Sequence, residues 1–149
     1  MKKIAIFSFL ITFLACNSQK NTIKSINDSI LTATYESWVA GIKGGGSGIN
    51  FNITLKNKLP ENTQLLRVIF KGYEVKCTAI SDLNYQASIR TEGNQKEFEP
   101  TTSSPKSNIK LADNEAVLIY LVDGKEVQNK INNVKRLETI HFPNVKPKN

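Results

Sequence analysis

From residue 32 to residue 142 the dominant pattern of apolar and polar positions has period two. The stretch GINFNITLKN (48–57) places Ile49, Phe51, Ile53 and Leu55 on one face. Asn50, Asn52, Thr54 and Lys56 fall on the other, the mark of a half-buried strand. Before it, TATYESWVA (32–40) is rich in β-branched and aromatic residues and predicts another strand. After a break at Pro60, QLLRVIF (64–70) is apolar on both faces, as a central strand is. Lys71-Gly72 predicts a turn into YEVKCTAI (73–80), and Asp82-Leu83-Asn84 a turn into YQASIRT (85–91). EAVLIYLVDGKEVQNKI (115–131) holds two strand patterns around Asp123-Gly124, a strong hairpin signal. NVKRLETIHF (133–142) gives a weaker last strand, stopped by Pro143. Seven or eight short strands with turn chemistry between them predict an all-β fold, an antiparallel β-sandwich, Ig-like or related.

Two stretches escape the period. Residues 92–108 carry Pro100 and Pro105 and read as a long loop that is either functional or disordered. WVAGIKGGGSGINFNI (38–53) holds Gly41, Gly44, Gly45, Gly46 and Gly48. A phosphate-binding P-loop needs Gly, four residues, then Gly-Lys-Ser/Thr. Gly41 and Gly46 have that spacing, but Ser47 follows directly and the lysine is missing. The dinucleotide fingerprint fails as well, because Ile49 stands where its third glycine belongs. Both motifs also join a strand to a helix, whereas here two strands flank the glycines. The stretch therefore reads as a turn between the first two strands, with three consecutive glycines predicting a mobile loop.

The N-terminus follows a different rule. Lys2 and Lys3 precede an apolar run from Ile4 to Leu14, the length of a signal-peptide core and short of a membrane-spanning helix. The run ends in Phe13-Leu14-Ala15-Cys16, which resembles the lipobox of bacterial lipoproteins; Phe13 departs from its commonest pattern, which has Leu. With the Asn- and Lys-rich body, these residues look like small lipoproteins of the Bacteroidota. The resemblance implies that residues 1–15 are a cleaved signal peptide and that Cys16 takes a diacylglycerol with palmitate-type chains. Two such chains anchor a protein stably where one holds only marginally. It further implies a cell-envelope protein with a membrane as partner. Residues 17–21 lack the acids that accompany surface export in such families, which favours the outer membrane, facing the periplasm. Residues 16–31 read as a polar tether, 32–145 as one sandwich domain and 146–149 as a basic tail. Within the tether, Ile23, Ile26 and Ile30 have helical spacing. Asp28-Ser29-Ile30 is similar to a Bacteroidota O-glycosylation site, although a chance tripeptide accounts for it as well.

Charge and chemistry narrow the functions. The chain carries formal +7, and removal of residues 1–15 leaves +5 on 18 scattered basic residues. Basic residues are not interleaved with aromatics as a nucleic-acid reader requires, so no nucleic-acid partner is expected. With Cys16 lipidated, Cys77 lacks an intramolecular partner, and its place on the apolar face of a strand predicts an inert thiol. One histidine, His141, supports neither a metal cluster nor a catalytic triad, so no metal, cofactor or catalytic residue is expected. Glu97/Glu99 and Asp113/Glu115 are the nearest approaches to carboxylate pairs. LADNEAVLIY (111–120) resembles the stretch before the tyrosine corner of immunoglobulin-like domains. Tyr120, however, lies two residues late, and Leu118 holds its usual place. The aromatics Tyr35, Trp38, Tyr73 and Tyr85 serve either as packing or as platforms for sugar rings. Trp38, with Tyr35 and Gly44, Gly45 and Gly46, is the candidate binding site, expected at the membrane-proximal start of the domain. The leading expectation is a non-enzymatic, membrane-anchored binding or structural module for an envelope protein or glycan. The alternative is a small envelope hydrolase or inhibitor with its site between the 41–48 and 92–108 loops.

Overall fold

The computed structural model describes residue 26, residues 28–97 and residues 103–141. The segments read above as signal peptide, lipobox and basic tail lie outside the described residues. Among the described residues ten strands follow in order: β1 (Ile30–Val39), β2 (Ser47–Leu55), β3 (Thr63–Phe70), β4 (Tyr73–Lys76), β5 (Thr78–Ala79), β6 (Asn84–Arg90), β7 (Ala116–Val122), β8 (Lys125–Ile131), β9 (Lys135–Arg136) and β10 (Ile140–His141). One sheet runs β10-β1-β2-β6-β5, with β9 also on β1; the other runs β4-β3-β7-β8. The fold is an all-β sandwich, as the period-two pattern predicts.

The core is the meeting of the two inward faces. Ala33 and Tyr35 of β1, Ile49, Phe51, Ile53 and Leu55 of β2, and Ala87 and Ile89 of β6 line one side. Leu65, Val68 and Phe70 of β3, and Leu118 and Tyr120 of β7 line the other. Phe70 joins the layers: its ring lies 4.9 Å from both Tyr35 and Phe51, tilted at 57° and 54°, a geometry aromatic quadrupoles favour.

The turns follow from backbone sterics. Lys71-Gly72 (φ 48° and 79°) and Asp123-Gly124 (φ 50° and 75°) both take two consecutive left-handed residues, the primed turn whose twist matches a hairpin. The strand expected over 73–80 is divided. β4 pairs with β3 in one sheet, β5 with β6 in the other, and Cys77 sits at the switch. There Leu66, the extra residue of a bulge in β3, accepts the Cys77 N–H through its carbonyl at 2.9 Å.

Two expected boundaries shift. Ile26 is only 4% exposed and belongs to the core cluster. Ile26, Asp28 and Ser29 lie in a helical turn, and Ser29 Oγ donates to the Ile26 carbonyl at 2.6 Å. The end of the segment read as tether is therefore part of the domain, because the apolar burial of Ile26 outweighs the polarity around it. The last strand splits into β9 and β10, which run parallel to β1 on its outer edge, opposite Thr34–Tyr35 and Trp38–Val39. The sandwich is thus antiparallel except along this edge.

Candidate functional site

The glycine-rich connection and the segment after β6 lie against each other, at the ends of β1, β2 and β6. Their link is Asn94, itself left-handed at φ 50°. Its Nδ2 donates to the carbonyls of Ala40 and Ile42, each at 3.0 Å, and of Gly46 at 3.3 Å. Its Oδ1 accepts the Gly44 N–H at 3.1 Å, and its own carbonyl accepts the Gly46 N–H at 2.7 Å. Ser47 Oγ is 2.6 Å from Thr91 Oγ1 and donates to the Gly93 carbonyl at 2.9 Å. Lys43 pairs with Glu97 at 2.9 Å across exposed surface. One side-chain amide thus caps four backbone groups of the loop, and the expected mobile loop is instead a clamped one. A glycine is required at 44 and 46 by φ of 81° and 88°. At 45, a Cβ would stand 2.6 Å from Ala40 Cβ.

The candidate residues separate on this frame. Tyr35 is a core residue, 7% exposed, with Lys71 Nζ 5.2 Å from its ring centroid; it points inward and offers no platform to a ligand. Trp38 points outward and is half-buried. It lies over Gly48 on the neighbouring strand, where an added Cβ would come within 2.6 Å of the indole ring. Gly48 is therefore the seat of Trp38. Beyond Trp38 the loop carries Ile42, 60% exposed. Trp38 also lies at the far end of β1 from Ile30, about 26 Å along the strand. The N-terminal segment enters at one end of β1, and the clamped loop stands at the other.

Below Trp38 the outward face of the larger sheet is laid out by register. Its rows across β1, β2 and β6 are Trp38–Gly48–Arg90, Glu36–Asn50–Ser88, Thr34–Asn52–Gln86 and Thr32–Thr54–Asn84. Of these twelve positions only Glu36 and Arg90 carry charge. The polar side chains are tied across the strands. Asn50 Nδ2 donates to Glu36 Oε1 at 3.3 Å, Gln86 Nε2 to Asn52 Oδ1 at 3.2 Å, and Thr54 Oγ1 to Asn84 Oδ1 at 3.0 Å. The outward face of the smaller sheet differs. Its centre is apolar, Ile69, Val117 and Ile119, with Leu111 packed against it. Arg67 spans it, bonded to Glu126 at 2.9 and 3.0 Å and to Glu74 at 2.7 Å. The bond to Glu126 raises the guanidinium pKa most, and holds the Glu126 carboxyl below its ordinary value.

The long loop is in part a strut. Ser104 donates its N–H to the Arg90 carbonyl at 2.9 Å and accepts the Arg90 N–H on Oγ at 2.8 Å. Pro105 O accepts the Glu74 N–H, and Ser107 N–H donates to Gly72 O, so this segment covers the outer edge of β4 and hides a strand edge from other chains. Residues 98–102 lie outside the described residues. The remaining chemical candidates are engaged in structure. Burial pushes the Cys77 thiol up to about 12, which keeps it protonated and unreactive. Asp113 pairs with Lys71 at 3.0 Å, and Glu115 with Lys130 at 2.7 Å. Ser29 spends its hydroxyl on Ile26. Two clefts lie away from both loops: one of ≈390 Å³ beside Lys58, Pro60, Ile80 and Tyr85, and one of ≈570 Å³ beside Ile30, Glu115 and Lys130. Among the described residues no group of three or more His, Cys, Asp or Glu is placed to hold a metal ion. Asn94, which organises the site, gives almost no signal in sequence; a Gly-Asn pair marks a turn but not what its amide will hold. In comparison with known proteins, the chain matches no family model, no curated protein sequence and no solved structure.

Proposed function

We propose that this chain is a bacterial envelope lipoprotein, anchored through Cys16 to the outer membrane on its periplasmic side. Its sandwich serves as a non-enzymatic binding module. The observation that carries the binding role is the clamped loop. Asn94 fixes a glycine-rich crest bearing Ile42 next to Trp38, at the end of β1 opposite the entry of the anchoring segment. A surface held rigid before contact loses less conformational entropy on association. The hydrolase alternative places its site between the same two loops. Their polar atoms are bonded to one another there, Asn94 to the loop backbone and Lys43 to Glu97, and this favours docking over chemistry. The strand order β1-β2-β6-β5 against β3-β7-β8 supports an immunoglobulin-like assignment, since constant-type domains pair A-B-E-D and C-F-G; β4 is then an addition beside C.

The test joins fractionation with capture. Full-length protein is expected in the membrane fraction with a diacylated Cys16 by mass spectrometry, while Cys16→Ala is released. Detergent-solubilised full-length protein is expected to retain an envelope component that Trp38→Ala retains at least several-fold less. Membrane partition unchanged by Cys16→Ala contradicts the anchor, and capture indifferent to Trp38 contradicts the site.

A further inference from the structure

The outward face of the larger sheet is chemically unlike the rest of the molecule. In a chain of formal +7, its twelve central positions hold one guanidinium and one carboxylate, at Arg90 and Glu36. Eight of the others are amides or hydroxyls. An amide offers two donors and an acceptor with two lone pairs, and a hydroxyl both donates and accepts. The cross-strand bonds from Asn50 to Glu36 and from Gln86 to Asn52 use one of these functions on each amide. They fix the planes of the side chains and leave further donors and acceptors on the outward side. The bonds therefore make an oriented hydrogen-bonding surface whose side-chain freedom is already spent before any ligand arrives.

We propose that this face binds an uncharged, hydroxyl-rich glycan chain, laid across Asn50, Asn52, Gln86 and Ser88 with its end against Trp38. Charge complementarity selects that occupant. A nucleic acid or other polyanion calls for a row of cations, and the face supplies only two, Arg90 on β6 and Lys135 beside Thr34 on β9, on opposite sides of β1 and β2. A strand from a protein partner would seek a sheet edge, and this is the interior of a sheet. A sugar chain presents hydroxyls that donate and accept along its length, matching amides that do the same, while its C–H faces suit the half-buried indole at the end of the row. The proposal rests on the binding-module reading and assigns it a ligand class.

The experiment uses full-length protein in a sugar-free polyoxyethylene detergent. It is run in native gels containing dextran, a mixed-linkage β-glucan, mannan or xylan, in a gel containing the polyanion alginate, and in a gel without polysaccharide. Retardation in at least one neutral gel is expected. The Asn52→Ala/Gln86→Ala double variant should then bind roughly ten-fold more weakly. Gln128→Ala, on the opposite outer face, should bind as wild type. Thermal melting of the double variant alongside wild type checks that it still folds, since Asn52 and Gln86 are half-buried. No retardation in any neutral gel, retardation by alginate only, equal retardation of the double variant, or self-association that the double variant abolishes would each overturn the proposal. A protein that ignores every neutral polysaccharide yet still captures an envelope protein through Trp38 loses the glycan face and keeps the binding-module reading.

Discussion

Tyr120 shows how much a single hydroxyl reveals about the core. Its side chain is fully buried, and its Oη finds no hydrogen-bond partner among the described residues. Burial, with smaller contributions from Cys77 and Tyr85, holds its pKa well above the ordinary tyrosine value. In a tyrosine corner that hydroxyl bonds to the backbone upstream. Here Tyr120 faces the interior, two residues beyond the corner position, which Leu118 occupies as a buried apolar residue. An unsatisfied buried hydroxyl costs on the order of 1–3 kcal/mol. Tyr120→Phe is therefore expected to raise unfolding free energy in urea by about 1 kcal/mol; a loss of that size would reveal a partner for the hydroxyl. Cys77 is the complementary case. Its sequence position already placed it on an apolar face, and the structure adds why that place is special: it is where the chain crosses from one sheet to the other.

At the scale of elements, the glycine-rich connection is the informative one. Each strand beside it was legible because burial of one face imposes period two. Asp123-Gly124 and Lys71-Gly72 were legible because left-handed turns admit few residue types. The clamp was not legible, since Asn94 lies about fifty positions from the glycines it holds, and no local pattern encodes such a pairing. The parallel seating of β9 and β10 was hidden for the same reason, as was the division of 73–80 between two sheets. Removing the clamp tests its importance. Asn94→Ala leaves four loop backbone groups without their side-chain partner, three of them sharing the two amide hydrogens. With hydrogen bonds contributing about 1 kcal/mol each, some shared, the cost is expected at ~1–3 kcal/mol, accompanied by faster amide exchange at Gly44. The emission of Trp38, the sole tryptophan, should shift to the red as its surroundings loosen. Unchanged exchange at Gly44 would mean that the glycines hold their own conformation.

For the molecule as a whole, the two outer faces divide the work. The smaller sheet is finished with an apolar patch, Leu111 and the Arg67 network, and its β4 edge is covered by residues 104–107. The larger sheet presents amides and hydroxyls under Trp38, at the end of β1 farthest from the N-terminal segment. Contact with the envelope is therefore expected through one face only. The most direct measurement is photo-crosslinking in intact cells, with a photoreactive residue replacing Ser88 on the larger sheet or Gln128 on the smaller. A mass-shifted adduct in the membrane fraction is expected from position 88 and none from position 128. No adduct from position 88, or equal adducts from both, would contradict contact through that one face.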